Sequence, residues 1–440
     1  MRLIGILALL SVLTFQLASQ ACLNDIDSDT LANQAKGLPD VVQVITGRFA
    51  RNPPIFYEMR IARVQKELRL NPSRLPLYDD IGVALDRVGR DDEAIAWMKQ
   101  KKAQLDKLSG SNPTSKQVVH EQLYRYHANL GTFIAHRWLR AGAERTRLAE
   151  VKTARSLIAQ AIHLKPDAHF GREKYQLMAM EWILAPHGTP LEKSGYHLYY
   201  SLASYMWGGF VYGDGGLSKG VDSSDDKRGG KGKIEGLSGL IVLGNAWESV
   251  DIYDALGQAL GSYDTQPVND KKFSVTNAVT LQCLAKLRCQ ELIEQSRRPL
   301  FATAATQAEL IPQWAQCSSS CIYPKNIRII EGVYRRLRKE AEQWQARRAM
   351  YMMVRLKAGR HPDTDPRFWS GWTNGAPPSL NTGEHWQTFE DEKRELTKAT
   401  SARRQSLGRT TALMGGSLVL LTILIGGLWR LHTTRRAKIG

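Results

Sequence analysis

The sequence predicts an all-α fold of packed helix pairs, followed by one apolar helix near the end of the chain. Two observations support this prediction. Between Leu75 and Asp106, large apolar and small residues recur at helical spacing, and a related pattern occurs 34 residues earlier. Residues 410–429 form a run of 20 without a charged side chain. Hydrophobic residues make up 43% of the chain and charged residues 23%, so the protein is predicted to fold rather than to stay disordered.

The first 21 residues are typical of a secretory signal peptide. Arg2 precedes an apolar run that ends near Leu17, and the run is followed by Ser-Gln-Ala, which places small residues where a signal peptidase requires them. The run is shorter than the roughly 20 residues of an ordinary membrane span. Cleavage would leave Cys22 at the new N-terminus, with lipidation of this cysteine or an uncleaved anchor as alternatives. Residues 22–40 are assigned to an N-terminal extension.

One helical hairpin pattern is well preserved. Its spacing of large and small residues resembles the tetratricopeptide repeat, a family in which each unit consists of two antiparallel helices. The residues that match the family pattern are Tyr78, Ile81, Gly82, Leu85, Gly89, Ala94 and Met98. One position departs, because Lys101 stands where a small residue is usual. The resemblance implies a right-handed helical-hairpin solenoid over residues 41–185, in which each unit buries its apolar face against its neighbours.

The units on either side match the family less completely. The earlier unit has Arg48 where a glycine of the first helix is expected, so it is predicted to be a degenerate cap. In the later unit Gly131 and Ala154 match the pattern, but about 11 additional residues lie between them. Residues 169–184 are predicted to form the first helix of a further unit.

The family resemblance also implies a binding groove. In such repeats the first helix of each unit lines a concave surface that holds a peptide or helix of another protein. The corresponding residues here are Asp79, Asp80, Val83 and Arg87. We therefore expect a protein or peptide partner from the cell envelope to bind at these positions.

Glycine and charged residues are dense over residues 186–236, which are predicted to form an irregular Gly-rich loop. Residues 237–373 are predicted to form a second helical region. Its predicted helices are Leu237–Leu260, Ser274–Arg297 and Arg335–Lys357. The last of these is long, basic and amphipathic. Its basic face either contacts anionic lipid, or binds an acidic partner, or lies in solvent.

Four cysteines follow Cys22 along the chain. Cys283 and Cys289 lie on one predicted helix, where six residues separate their Cα atoms by roughly 9 Å along the axis. This exceeds the roughly 7 Å limit for a disulfide, so each is expected to bond to the second pair of cysteines. An antiparallel return of the chain favours the pairings Cys289–Cys317 and Cys283–Cys321. Free thiols and a four-thiolate zinc site are the alternatives.

The end of the chain is predicted to hold a membrane anchor. Residues 374–409 are assigned to a linker and charged stalk, residues 410–429 to a transmembrane helix, and residues 430–440 to a basic cytoplasmic tail. The signal peptide would place the body of this single-pass protein outside the cytoplasm, in the periplasm of a bacterium. A buried core helix and a processed surface-sorting signal that includes Gly415 and Gly416 are alternatives.

The formal net charge of +17 indicates anionic partners. Because the chain is predicted to be exported, anionic lipid surfaces and acidic envelope material are the expected partners of this charge, and nucleic acid is not.

No motif for catalysis, cofactor binding or metal binding is complete in the sequence. Residues 229–236 lack the Ser or Thr of a phosphate loop, and residues 25–29 begin like a calcium loop but lack its glycine. The cluster of His361, Asp363 and Asp365 fits a turn after a helix better than a cation site. We therefore expect no cofactor, no metal, and a membrane-anchored scaffold for protein–protein interaction. The alternatives are an envelope enzyme or accessory subunit with its site in residues 186–370, or a passive envelope spacer.

Overall fold

The structure, a computed structural model, describes most of the chain between residues 23 and 405. The described residues are 23–27, 38–108, 113–166, 168–185, 201–206, 229–263, 275–301, 324–380, 394–403, 405 and 424. The chain divides into two compact units, one of residues 1–322 with 328–382 and the other of residues 323–327 with 383–440. All groove and core contacts discussed below lie within the first unit.

Every described element is helical, which confirms the all-α class. In chain order the helices are α1 (Val41–Thr46), α2 (Pro54–Leu70), α3 (Leu75–Arg87), α4 (Asp91–Leu108), α5 (Pro113–Arg140), α6 (Leu148–Leu164), α7 (Arg172–Leu184), α8 (Leu202–Met206), α9 (Gly229–Val242), α10 (Val250–Tyr263), α11 (Val275–Glu294) and α12 (Pro324–Lys357).

The hairpin of α3 and α4 forms where its sequence predicts it. Pro76 lies in the first turn of α3, where the missing N–H costs no helical hydrogen bond. Gly89 reverses the chain after α3 with a φ of 79°, a left-handed conformation that favours glycine. Asp91, Asp92 and Glu93 then occupy the first turn of α4, where carboxylates stabilise the positive end of the helix dipole.

Helices α2 to α7 pack in chain order. Each of them contacts the next one along the chain, and α3 also packs against α5. In the second helical region, α9 packs against α7 and α10, and α10 packs against α8 and α11. Helix α11 returns to contact α1, so the two helical regions share one core. Successive antiparallel neighbours are what short connections between amphipathic helices produce; the right-handed solenoid itself stays a prediction.

Two glycines let neighbouring helices approach closely. A Cβ on Gly82 would lie 3.0 Å from Cε of Met98 and 2.9 Å from Cε2 of Phe133. A Cβ on Gly131 would lie 3.0 Å from the side chain of Ile158. The same contact of a small residue with a large one thus occurs between α3 and α4 and between α5 and α6. The additional residues between Gly131 and Ala154 lie in the C-terminal part of α5, in the turn after it and in the part of α6 before Ala154.

The prediction of an irregular loop over residues 186–236 is wrong in the parts that the structure describes. Helix α8 lies within this range, and α9 begins before its end. A Cβ on Gly236 would collide with the ring of Tyr175, and a Cβ on Gly239 would lie 2.9 Å from Cδ of Arg172. The glycines therefore lie in a helix because they allow α9 to pack tightly against α7, and this contact offsets their poor helix propensity.

The predicted helix Leu237–Leu260 is broken in the structure. Its two halves belong to α9 and α10, which are separated by a turn over residues 243–249. Asn245 has a φ of 64° in this turn, the left-handed conformation that asparagine tolerates better than most residues. A local turn signal, Gly244-Asn245, thus outweighs the apolar periodicity that runs across it.

Helix α12 begins earlier than predicted and ends at the predicted Lys357. Its basic side chains do not all face solvent. Arg338 forms an ion pair with Glu291 at 2.8 Å and donates a hydrogen bond to the main-chain oxygen of Thr46 at 2.6 Å. Arg348 is buried as well. Part of the basic charge of this helix therefore holds the fold together instead of forming a surface for anionic partners.

The prediction of a single-pass membrane protein is wrong. Among the described residues, no helix combines the length and the apolar composition that are needed to cross a bilayer. The long helices described, such as α5 and α12, carry charged side chains because only one side of each packs into the core. Residues 410–429, on which the prediction rested, lie outside the described part apart from Leu424. The extracytoplasmic location that was predicted together with this span is withdrawn. The signal peptide lies outside the described residues.

The two described cysteines of the predicted disulfide cluster lie on one helix, α11, as expected. Both are buried. Cys289 is a thiol whose Sγ donates a hydrogen bond to the main-chain oxygen of Val250 at 3.5 Å, and burial raises its pKa. Cys317 and Cys321 lie outside the described residues, so the pairings Cys289–Cys317 and Cys283–Cys321 stay predictions.

Candidate functional site

The four predicted groove residues all lie on α3, but they do not form an open surface. Asp79, Asp80 and Val83 are 0%, 6% and 1% exposed, and Arg87 is half-buried. The chain's own segment Leu23–Asp27 lies against this helix. The groove that the sequence predicts for a partner is therefore occupied by a short piece of the same chain.

The main chain of this N-terminal segment is bound at alternate residues. The N–H of Asn24 donates a hydrogen bond to Oδ1 of Asn129 at 2.8 Å, and Nδ2 of Asn129 donates one to the carbonyl oxygen of Asn24 at 3.1 Å. The N–H of Ile26 donates to Oδ1 of Asp80 at 2.8 Å. The segment bends at residues 23–25 and is helical at residues 26–27, so the two bound main-chain N–H groups come from a bent segment that enters a helical turn.

Asp80 and Asn129 occupy the same position relative to a glycine on two helices. Asp80 directly precedes Ile81-Gly82 on α3, and Asn129 directly precedes Leu130-Gly131 on α5. The two helices pack against each other. Equivalent positions on neighbouring helices thus supply equivalent side chains to one bound segment. We did not predict Asn129 from the sequence, although its register relative to the glycine would have identified it.

A buried chain of polar groups orients Asn129. Nζ of Lys101 lies 2.7 Å and 2.6 Å from the two carboxylate oxygens of Asp79, and both side chains are 0% exposed. Asp79 in turn accepts a hydrogen bond from Nδ2 of Asn129 at 3.0 Å. Since a carboxylate only accepts, this contact directs the amide nitrogen to Asp79 and leaves the amide oxygen for the main chain of Asn24. Lys101 is the one departure from the repeat pattern. Its positive charge neutralises the buried carboxylate of Asp79.

A fully buried arginine, Arg60 on α2, binds the acidic side chains of the segment. Its NH1–NH2 edge donates to both carboxylate oxygens of Asp27, at 2.9 Å and 2.8 Å. Its Nε–NH2 edge donates to both oxygens of Asp363, at 2.8 Å and 2.7 Å. Asp25 lies 3.4 Å from NH1. The guanidinium carbon also lies 4.6 Å from the ring centre of Phe56. Both edges of the guanidinium are therefore engaged by carboxylates.

The charges in the groove are stabilised in pairs. Burial alone would lower the pKa of Arg60, but Asp27 and Asp363 raise it well above its ordinary value. Burial would raise the pKa of Asp363, but the hydrogen bonds and charge of Arg60 hold it below its ordinary value. Asp80 differs, because burial raises its pKa to about 6 even though Arg60 and the N–H of Ile26 favour the ionised form.

The predicted cluster of His361, Asp363 and Asp365 is structural. Nε2 of His361 lies 3.0 Å from the carbonyl oxygen of Phe56, and the two rings are stacked with centres 4.5 Å apart. Asp363 faces Arg60, as described above, and Asp365 forms an ion pair with Arg360 at 2.6 Å. In the part of the chain that the structure describes, no group of three metal-binding side chains comes together.

The turn between α9 and α10 binds the C-terminal end of α3. Arg87 donates hydrogen bonds to the carbonyl oxygen of Leu243 at 2.8 Å and to Oδ1 of Asn245 at 2.9 Å. Nearby, Nδ1 of His136 lies 2.8 Å from Oδ1 of Asp86, and its Nε2 lies 3.1 Å from the carbonyl oxygen of Gly244. Both ring nitrogens of this histidine face oxygen atoms of the protein, so the imidazole links the end of α3 to the turn between α9 and α10.

No family model, no curated protein and no solved structure matches the chain. The described helices define the protein as an all-α chain. The function of the site is inferred from the contacts of its own residues.

Proposed function

We propose that this protein is a scaffold for protein–protein interaction, in which helices α3 and α5 of a tetratricopeptide-like repeat array bind a short peptide. One observation supports this function most directly. The side chains of Asp80 and Asn129 bind the main chain of a peptide segment at alternate residues. Main-chain contacts do not depend on the peptide's sequence, so the same positions suit a peptide supplied by another protein.

The packing of the helices supports the repeat array. Helices α3 and α5 contact each other as first helices of successive units do, and α4 and α6 each pack beside their own first helix. Gly82 and Gly131 contact Met98 and Ile158, which are equivalent large residues of the second helices. Equivalent residues making equivalent contacts are expected where one unit repeats.

The test uses the full chain with Ile26→Pro and a labelled peptide of residues 23–29, LNDIDSD. Proline removes the N–H that binds Asp80, so the chain's own segment should leave the groove and the added peptide should take its place. We expect saturable binding by fluorescence anisotropy, with weaker binding of a scrambled peptide.

Asn129→Ala in the Ile26→Pro chain removes two hydrogen bonds to the peptide main chain. At about 1 kcal/mol each, binding should weaken at least about tenfold. His120→Ala, an exposed change on the same helix, is the matched control and should leave affinity unchanged. Equal affinities for the two variants, or no binding to the Ile26→Pro chain, would refute the proposed groove.

A further inference from the structure

We infer that the groove selects an acidic peptide with two aspartates separated by one residue, and that such a peptide displaces the chain's own Leu23–Asp27 segment. This inference rests on the proposed function, because it names the kind of peptide that the groove binds.

The selection for acid follows from Arg60. Its Nε–NH2 edge is engaged by Asp363, which belongs to the folded body of the protein. Its NH1–NH2 edge is engaged by Asp27, which belongs to the segment. When the segment leaves, this edge of a buried guanidinium loses its only bidentate partner among the described residues. An incoming carboxylate of the same geometry restores two charge-assisted hydrogen bonds, which an amide or a neutral side chain cannot do.

The spacing of the two acids follows from the main-chain contacts. Asp25 lies between the bound residues Asn24 and Ile26, and its carboxylate also points to NH1 of Arg60, at 3.4 Å and almost completely buried. Asp27 follows two residues later, with its side chain 41% exposed. The same peptide geometry that presents alternate N–H groups to α3 and α5 therefore presents alternate carboxylates to α2.

The chain's own segment is an imperfect occupant of the groove. Asn24 is 1% exposed, and within the described structure neither polar atom of its side chain has a hydrogen-bond partner. A buried amide without partners weakens binding, whereas a small apolar side chain in the same place carries no such penalty. A peptide with the two aspartates and an apolar residue before the first should therefore bind better than the natural segment and displace it.

The experiment compares three peptides in competition with the segment of the unmodified full-length chain. The first has the natural sequence of residues 23–29. The second carries Asn24→Ala. The third carries both Asp25→Asn and Asp27→Asn, which keeps the size and the main chain and removes the charges. Since only the peptides change, the folding of the protein is not at risk. Binding is measured by fluorescence anisotropy, and release of the chain's own segment by hydrogen exchange at Asn24 and Ile26.

We expect the Asn24→Ala peptide to bind about tenfold more tightly than the natural peptide, and the double asparagine peptide to bind at least about tenfold more weakly. Binding of the Asn24→Ala peptide should raise hydrogen exchange of the chain's own segment. Equal affinities for all three peptides would refute the acidic selection and leave the peptide groove intact. Binding without increased exchange would refute displacement. No binding of any peptide, either here or to the Ile26→Pro chain, would refute the groove itself.

Discussion

The buried pair of Asp79 and Lys101 allows stability and binding to be separated by mutation. Both side chains are fully buried, and Asp79 also fixes the amide of Asn129. Replacing Lys101 by Met, or Asp79 by Leu, leaves the other charge buried without its counterion. Each single change should lower the free energy of unfolding by about 3–5 kcal/mol. This is a large share of the roughly 5–15 kcal/mol that stabilises a typical domain.

The double variant Asp79→Leu/Lys101→Met should be far more stable than the two single changes suggest. Independent effects would add to about 6–10 kcal/mol, but replacing a buried ion pair by apolar side chains of similar size is often neutral or stabilising by about 1–4 kcal/mol. Urea denaturation followed by tryptophan fluorescence measures the free energy of unfolding of all four proteins. If the losses in free energy of unfolding were nearly additive in the double variant, the two charges would not stabilise each other.

Binding should respond differently from stability in the double variant. Without Asp79, only the main chain of Asn24 orients the amide of Asn129, so this amide is held less firmly against the N–H and the carbonyl oxygen of Asn24. We expect near-native stability together with faster hydrogen exchange at Asn24. A double variant that protects Asn24 as well as the unmodified chain does would show that Asp79 has no positioning role.

Three further predictions concern the glycines, the buried arginine and the pH dependence. Gly131→Ala should cost about 1–3 kcal/mol because its Cβ would meet a main-chain oxygen at 3.0 Å, and Gly82→Ala should cost a similar amount because its Cβ would lie 2.9 Å from the ring of the buried Phe133; an unchanged thermal midpoint in either variant would contradict this. Arg60→Met should cost about 3–5 kcal/mol in urea denaturation, since it removes the shared partner of the buried Asp25 and Asp363, and a loss below about 1 kcal/mol would argue against their dependence on it. Burial would raise the pKa of Glu291, but the hydrogen bond and charge of Arg338 and the charge of Arg288 lower it to about 2. This group therefore contributes about 3 kcal/mol above its ordinary pKa of 4.5, which is lost as the pH falls toward 2, and Glu291→Gln should remove that slope from stability measured between pH 5 and 2.

Local patterns predicted the first hairpin well. The spacing that places Gly82 opposite Met98, and Gly89 after the end of α3, depends on residues that lie close together along the chain, so it can be derived from helical geometry. The break at Gly244-Asn245 was equally local, but the apolar periodicity on both sides concealed it.

The candidate site depended on contacts that no local pattern shows. Arg60 and Asp363 are separated by 303 residues, and Asp27 approaches them from the opposite end of the chain. Sequence spacing correctly placed Asp79 and Asp80 on one helix, α3. It did not show that Lys101 neutralises Asp79, nor that the chain fills its own groove, because both facts arise only when distant segments pack together.

The two carboxylates on Arg60 couple the ends of the folded body thermodynamically. One comes from the segment near residue 27 and the other from the turn that follows α12, and both depend on the same cation. Whatever occupies the groove must therefore alter the energy with which that turn is held, and tightening the turn must alter the affinity of the groove by the same factor. The rate of hydrogen exchange at residues 361–365 should therefore depend on which ligand occupies the groove. Arg60 in the groove and Asp363 in this turn are more than 300 residues apart in sequence.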